Sequence, residues 1–216
     1  MASTVLFVVM VIFACILLLI ASVAATIGAA DAFGSSLYNT DPRIRSAHQY
    51  LTVAAALGWS SLVVLIVILI VAAAAGGFST VEVSDALLNK ASPSSADLVA
   101  AYRGEKELSS GHTTQIIVLI VLIIVAIITL IVGILAIAAA VQLGDMKQKD
   151  AKSTSAYTES IIAAVAGFGG IAIMIIAVIT YAAIRSARAQ KLAELEAFQK
   201  KTEAQLGIAS GLAIVK

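Results

Sequence analysis

Ionisable and nucleophilic side chains are scarce in this 216-residue chain, and their placement limits the chemistry it can support. His48 and His112 are its two histidines, and each sits just ahead of a long apolar run. A metal site needs further His, Cys or carboxylate ligands at matching spacing, and neither histidine has them, so both read as interfacial hydrogen-bonding groups. Cys15 is the single cysteine and lies inside an apolar run. No intrachain disulfide can form, and the thiol reads as a small packing group. Hydroxyls at Thr26, Ser60, Ser61, Thr129 and Thr180 are scattered through apolar segments. Lining a passive pore is one use for them; bonding back to a carbonyl of their own helix is the ordinary one. The glycines of Gly167-Phe-Gly-Gly170 could cradle a phosphate only after a strand, and none precedes them, so they read as helix packing. No phosphate loop, nucleophile elbow or pair of catalytic carboxylates is present. The chain is therefore expected to be neither an enzyme nor a cofactor protein.

Composition explains that scarcity. Hydrophobic residues make up 61% of the chain and charged residues 12%, less than half of the roughly 25% usual in soluble domains. With a mean hydropathy of +1.03 the expectation is an integral membrane protein whose first partner is the lipid bilayer. A formal charge of +1 argues against a nucleic-acid binder. No Asp, Glu, Lys, Arg or His falls in the core of an apolar span, where pumps and coupled transporters place such groups.

The stretch from Asp41 to Phe78 orders the rest. Asp41 can accept from the free N–H groups of a first helical turn, and Pro42 is tolerated at the first helical position. Ile44, Ala47 and Leu51 share one face of the polar opening turns, which suits a membrane surface or a protein neighbour. From Leu57 to Phe78 there is no charge. The whole helix would be on the order of 55 Å long, so part of it must leave the bilayer. Trp59 and Phe78 are placed at the two membrane interfaces.

Three further apolar runs complete a four-span transmembrane domain over 1–183, with spans at about 5–30, 57–78, 115–141 and 161–183. The first lacks a preceding Lys or Arg and is expected to be retained instead of cleaved as a signal peptide. Ala21, Ala25 and Ala29 make a smooth stripe, and Ala163/Gly167 and Ala166/Gly170 are small-xxx-small pairs. Packing within one bundle is the expected use of both sets; a homo-oligomer contact is the alternative. Asp31 to Thr40 is a short turn, and Gln142 to Glu159 is a longer polar turn. The insert 79–114 holds Glu82 to Lys90 as a short helical turn and a helix capped by Ser92-Pro93 that ends at Gly104.

The fourth span does not have to stop at the membrane. Neither Gly nor Pro occurs from Ile171 to Leu206, and 184–216 reads as an amphipathic helix and tail, with a helix stop at Gly207. Arg185 and Arg188, with Lys191, mark the membrane exit. Leu192, Leu195, Phe198 and Leu206 form a seam that would be uncovered on a lone rod, which makes them the proposed partner-docking residues.

The run Asp41-Pro-Arg-Ile-Arg-Ser-Ala-His-Gln-Tyr-Leu-Thr-Val-Ala-Ala-Ala-Leu-Gly-Trp59, followed by a long apolar helix, resembles multi-span internal-membrane or minor capsid proteins of large icosahedral DNA viruses, chlorovirus-type among them. The resemblance implies a structural protein joining a virion's internal membrane to capsid proteins, with no active site. A tetraspan channel, transporter or cell-contact protein is the alternative. An even span count places both termini and the insert on one side. Lys90, Arg103, Lys106, Arg185, Arg188, Lys191, Lys200, Lys201 and Lys216 lie on that side against Arg43, Arg45, Lys147, Lys149 and Lys152 opposite, which weights it as cytoplasmic.

Overall fold

The computed structural model describes residues 2–74, 88, 94–109, 112–146 and 149–206, and all regular structure among them is α-helical. Its helices are α1 (Ala2–Phe33), α2 (Pro42–Ala74), α3 (Ser95–Ser109), α4 (His112–Gly144) and α5 (Ala151–Leu206). The expected positions of Phe78, Glu82 to Lys90 (save helical Leu88), Gly207 and the final apolar segment fall outside the described residues. So does the side chain of Leu206. α1, α2, α4 and α5 are each long and apolar enough to cross a membrane, so the chain is a multi-pass, all-α membrane protein.

Local chemistry sets the helix starts. Asp41 Oδ1 accepts from the N–H of Arg43 at 2.9 Å, and Pro42 opens α2. Asp150 does the same for α5, accepting from the backbone N–H groups of Ala151 and Lys152. That cap shortens the polar turn expected over Gln142 to Glu159 to the few residues between Gly144 and Ala151. Ser153, Ala156 and Ser160 are buried on the same face as Ala163, so the small residues of the fourth helix face the core well before the apolar run begins. α3 also differs from expectation. Its cap is Ser94, whose N–H donates to Asp97 Oδ2 at 2.8 Å while the Asp97 N–H donates back to Ser94 Oγ at 3.4 Å. The helix runs through Gly104 to Ser109 because tertiary cover outweighs the ~1 kcal/mol a helical glycine costs.

α1, α2, α4 and α5 form an up-down-up-down bundle in which each packs on its antiparallel neighbours, in the cyclic order α1, α2, α4, α5. α1 and α4 lie diagonally and barely meet. Ile44, Ala47 and Leu51 are fully buried inside this bundle, not laid on a membrane surface. A Cβ on Gly28 would lie 3.2 Å from Leu51 Cδ1, and one on Gly58 would strike Ser22 Oγ. The part of α2 ahead of Leu57 therefore runs beside the span predicted for α1.

The core changes character along the bundle axis. Toward the α1–α2 and α4–α5 turns it is built of Ala21, Ala25, Ala29, Ala54, Ala136, Ala139, Ala156 and Ala163, which let backbones approach closely. Toward the chain termini it is filled by Phe7, Leu18, Leu65, Leu122, Met174 and Tyr181. Gly167 is the tightest crossing, where an added Cβ would stand 3.0 Å from the Gly133 Cα. Ala166 and Gly170 are buried in the same bundle. Outward-facing Ile12, Val63, Ile123 and Ile179 form the face that meets lipid.

Candidate interaction site on the extramembrane arm

α5 has 56 residues and is about 84 Å long, far more than the ~30 Å a hydrocarbon core requires. Below Ile184 it continues as a rod, and α3 lies against it. Leu195 and Phe198 are buried with Ala101 of α3, and Leu88 and Leu192 pack at the edge of that cluster. The docking seam expected to be bare is thus occupied by the chain's own insert. The reason is geometric: α3 runs antiparallel to α5, and its Leu98 and Ala101 supply a buried face.

Two polar contacts fix the register of this clasp. Tyr102 donates its hydroxyl to Glu203 Oε1, and Gln199 Nε2 donates to Glu105 Oε2 at 2.8 Å. The Glu203 carboxylate that holds the phenolic proton pushes Tyr102 up to about 12. Thr202 is fully buried beside these groups. What stays exposed on the arm is of mixed sign: Glu194, Glu196, Lys200 and Lys201 on α5, with Arg103 and Lys106 on α3. Partial burial holds the Arg188 guanidinium below its ordinary value where the rod leaves the bundle.

Trp59 is partly exposed on α2, and its Nε1 donates to Thr26 Oγ1 at 3.2 Å. The scattered hydroxyls mostly turn inward on their own helices. Thr26 donates to the Ser22 carbonyl at 2.7 Å, Thr129 to Val125 at 2.7 Å and Thr180 to Ile176 at 2.8 Å, and Ser60 donates to Ala56. Ser61 is buried and has no hydrogen-bond partner among the described residues.

At the opposite end a set of polar staples ties the two turns together. Ser155 donates to Asp31 Oδ2 at 2.6 Å, Ser35 Oγ to Asp150 Oδ2 at 2.7 Å, and Arg43 pairs with Asp145 at 2.9 Å. Ser35 is the chief reason the Asp150 carboxyl sits below its ordinary value. His48 Nδ1 lies 2.9 Å from the Ala29 carbonyl, and its ring meets those of Phe33 and Tyr38. His48 is thus in hydrogen-bond contact, as the sequence reading expected of it. The staples themselves escaped it, although Asp150 just ahead of a helical run is a recognisable cap signal. Among the described residues no three His, Cys, Asp or Glu side chains gather as a metal site would require. Compared with family models, curated proteins and solved structures, the chain matches none.

Proposed function

We propose that the protein is a structural membrane anchor that holds a protein partner to a bilayer through the α3–α5 arm and carries out no catalysis. One observation carries this reading: α5 passes through the bundle and continues unbroken from Arg185 to Leu206, about 33 Å beyond it. A helix needed only to span would end at the headgroups. α3 folded onto the extension gives it a second helix of width, and the interleaved charges of its outer face suit a protein surface better than a bilayer.

The resemblance of Asp41 to Trp59 supports a virion internal membrane as the setting and a capsid protein as the partner. The cation excess on the arm's side supports a cytoplasmic location for both termini. The channel or transporter alternative gains little support from the hydroxyls, because Thr26, Ser60, Thr129 and Thr180 bond within their own helices and Thr26 and Ser60 face outward. Lysine-directed cross-linking in the native membrane, read by mass spectrometry, tests the anchor. Links from Lys200 and Lys201 to one protein present in stoichiometric amount are expected. Ion flux through the purified chain in liposomes, with no such links, would overturn the reading.

A further inference from the structure

α5 keeps the same side buried along the bundle and again on the arm. Ser160, Gly167, Met174, Tyr181, Leu195 and Thr202 are all buried, first among the spans and then against α3, and all are separated by multiples of seven residues. A straight α-helix drifts about 20° per heptad against such a repeat, which over this length would carry the line roughly 120° round the helix. α5 therefore coils gently with its neighbours, and the side opposite stays in one place as well.

That opposite side carries a second regular line. From Val165 to Ala204 it advances by alternating steps of four and three residues, passing Ile176 and Ile179 in the span and Ser186, Gln190, Ala193 and Ala197 on the arm. Every position on it is exposed except Gly169, which is half-buried. On a lone arm in water the side away from α3 would be the most charged. Here alanine dominates it, and Glu194, Glu196 and Lys201 stand on its two flanks, as charges stand at the edges of a helix seam. Glu196 and Lys201 take part in no ion pair among the described residues.

We propose that this line is the contact of a parallel homodimer, in which α5 of one chain coils against α5 of a second copy from Val165 in the bilayer to Ala204 on the arm. Two observations select a second copy. The line crosses the bilayer and goes on into water without a break, so one partner that covers it must be a helix doing the same in the same direction, and a second copy in the same membrane presents such a helix. The flanks are also self-complementary. In a parallel pair a residue on the leading flank faces the one five places further along its partner, which sets Glu196 against Lys201 of the second copy, and the two-fold axis repeats the pair. Lys200 falls on the line itself. A polar seam position costs stability and fixes register, and Glu196, four residues earlier on the same helix, is placed to hold it. α3 stays outside the pair, so the dimer stands or falls independently of the anchor role.

The test uses the full chain in liposomes at low protein density, with Cys15→Ala as background and one new cysteine at a time. Under oxidant, Ser186→Cys, Ala193→Cys and Ala197→Cys should link into dimers several-fold faster than Ala100→Cys, which lies on the exposed side of α3. Glu196→Lys in the Ala193→Cys chain should slow linking several-fold by setting lysine against lysine, and Lys201→Glu added to it should restore the rate. Rescue of that kind separates lost pairing from misfolding. Absence of links along the line, or equal rates at Ala100→Cys and Ala193→Cys, overturns the proposal. In native membrane, a cysteine on the line that links to a different protein and not to its own copy would overturn it too.

Discussion

At Gly167 the fold depends on the absence of a single methyl group. A Cβ there would stand 3.0 Å from the Cα and 3.1 Å from the N of Gly133, and backbone atoms cannot swing aside as a side-chain tip can. At Gly169 the nearest atom would be Leu17 Cδ1 at 3.5 Å, an ordinary contact. Gly167→Ala is expected to destabilise the bundle by about 1–3 kcal/mol. Gly169→Ala should be neutral or gain up to about 1 kcal/mol from helix propensity. Denaturant titration in micelles ranks the two, and equal losses would mean that α4 and α5 are not in backbone contact. Asp150 offers a second test, because hydrogen bonds from Ser35 and Ser36 hold its carboxyl below the ordinary value. A carboxyl lowered by folding stabilises the fold above its unfolded value, and that contribution is lost as pH falls through the lowered one. Ser35→Ala should therefore move Asp150 back up, as read by carboxyl carbon NMR.

As an element, α3 depends on what covers it. A 15-residue helix is marginal in water on its own, and α3 draws its tertiary support from Leu195 and Phe198. Leu195→Ala or Phe198→Ala should each remove about 2–5 kcal/mol from the clasp. Amide exchange across 95–109 should then accelerate while α1, α2 and α4 stay protected; unchanged exchange in α3 would show that the seam does not hold it. Tyr102 reports the same contact by titration. Its folded value near 12 lies above the unfolded one, so its contribution is complete below about pH 10 and lost as pH rises through 12. Tyr102→Phe should remove the tyrosine ionisation near pH 12 from an ultraviolet titration. The seam was legible in the sequence as an apolar stripe in need of cover. The cover itself was not, because α3 brings little more than Leu98 and Ala101 to the contact, and Gly104 reads as a stop until tertiary packing overrides it.

Across the whole molecule, the spans were legible because uninterrupted Ile, Val and Leu leave no other solution in water or lipid, and short turns made their chain neighbours spatial neighbours. The depth register between helices was not legible. It is set by contacts such as Gly28 with Leu51 and Gly58 with Ser22, and by staples such as Ser155 with Asp31, which join residues far apart in the chain. In sealed vesicles that expose the termini, trypsin should cut the arm at Lys200 or Lys201 and leave the bundle; protection of the arm together with cutting at Lys152 would reverse the proposed orientation. The unbroken run of α5 also has a mechanical meaning. Sharp bends in helices arise at proline, glycine or local bulges, and none of the first two lies between Ile171 and Leu206. A force on the tip therefore finds no joint to flex. It acts as a torque on the bundle, with Gly167 against Gly133 near the fulcrum, and the four helices must tilt together in the bilayer when a partner pulls.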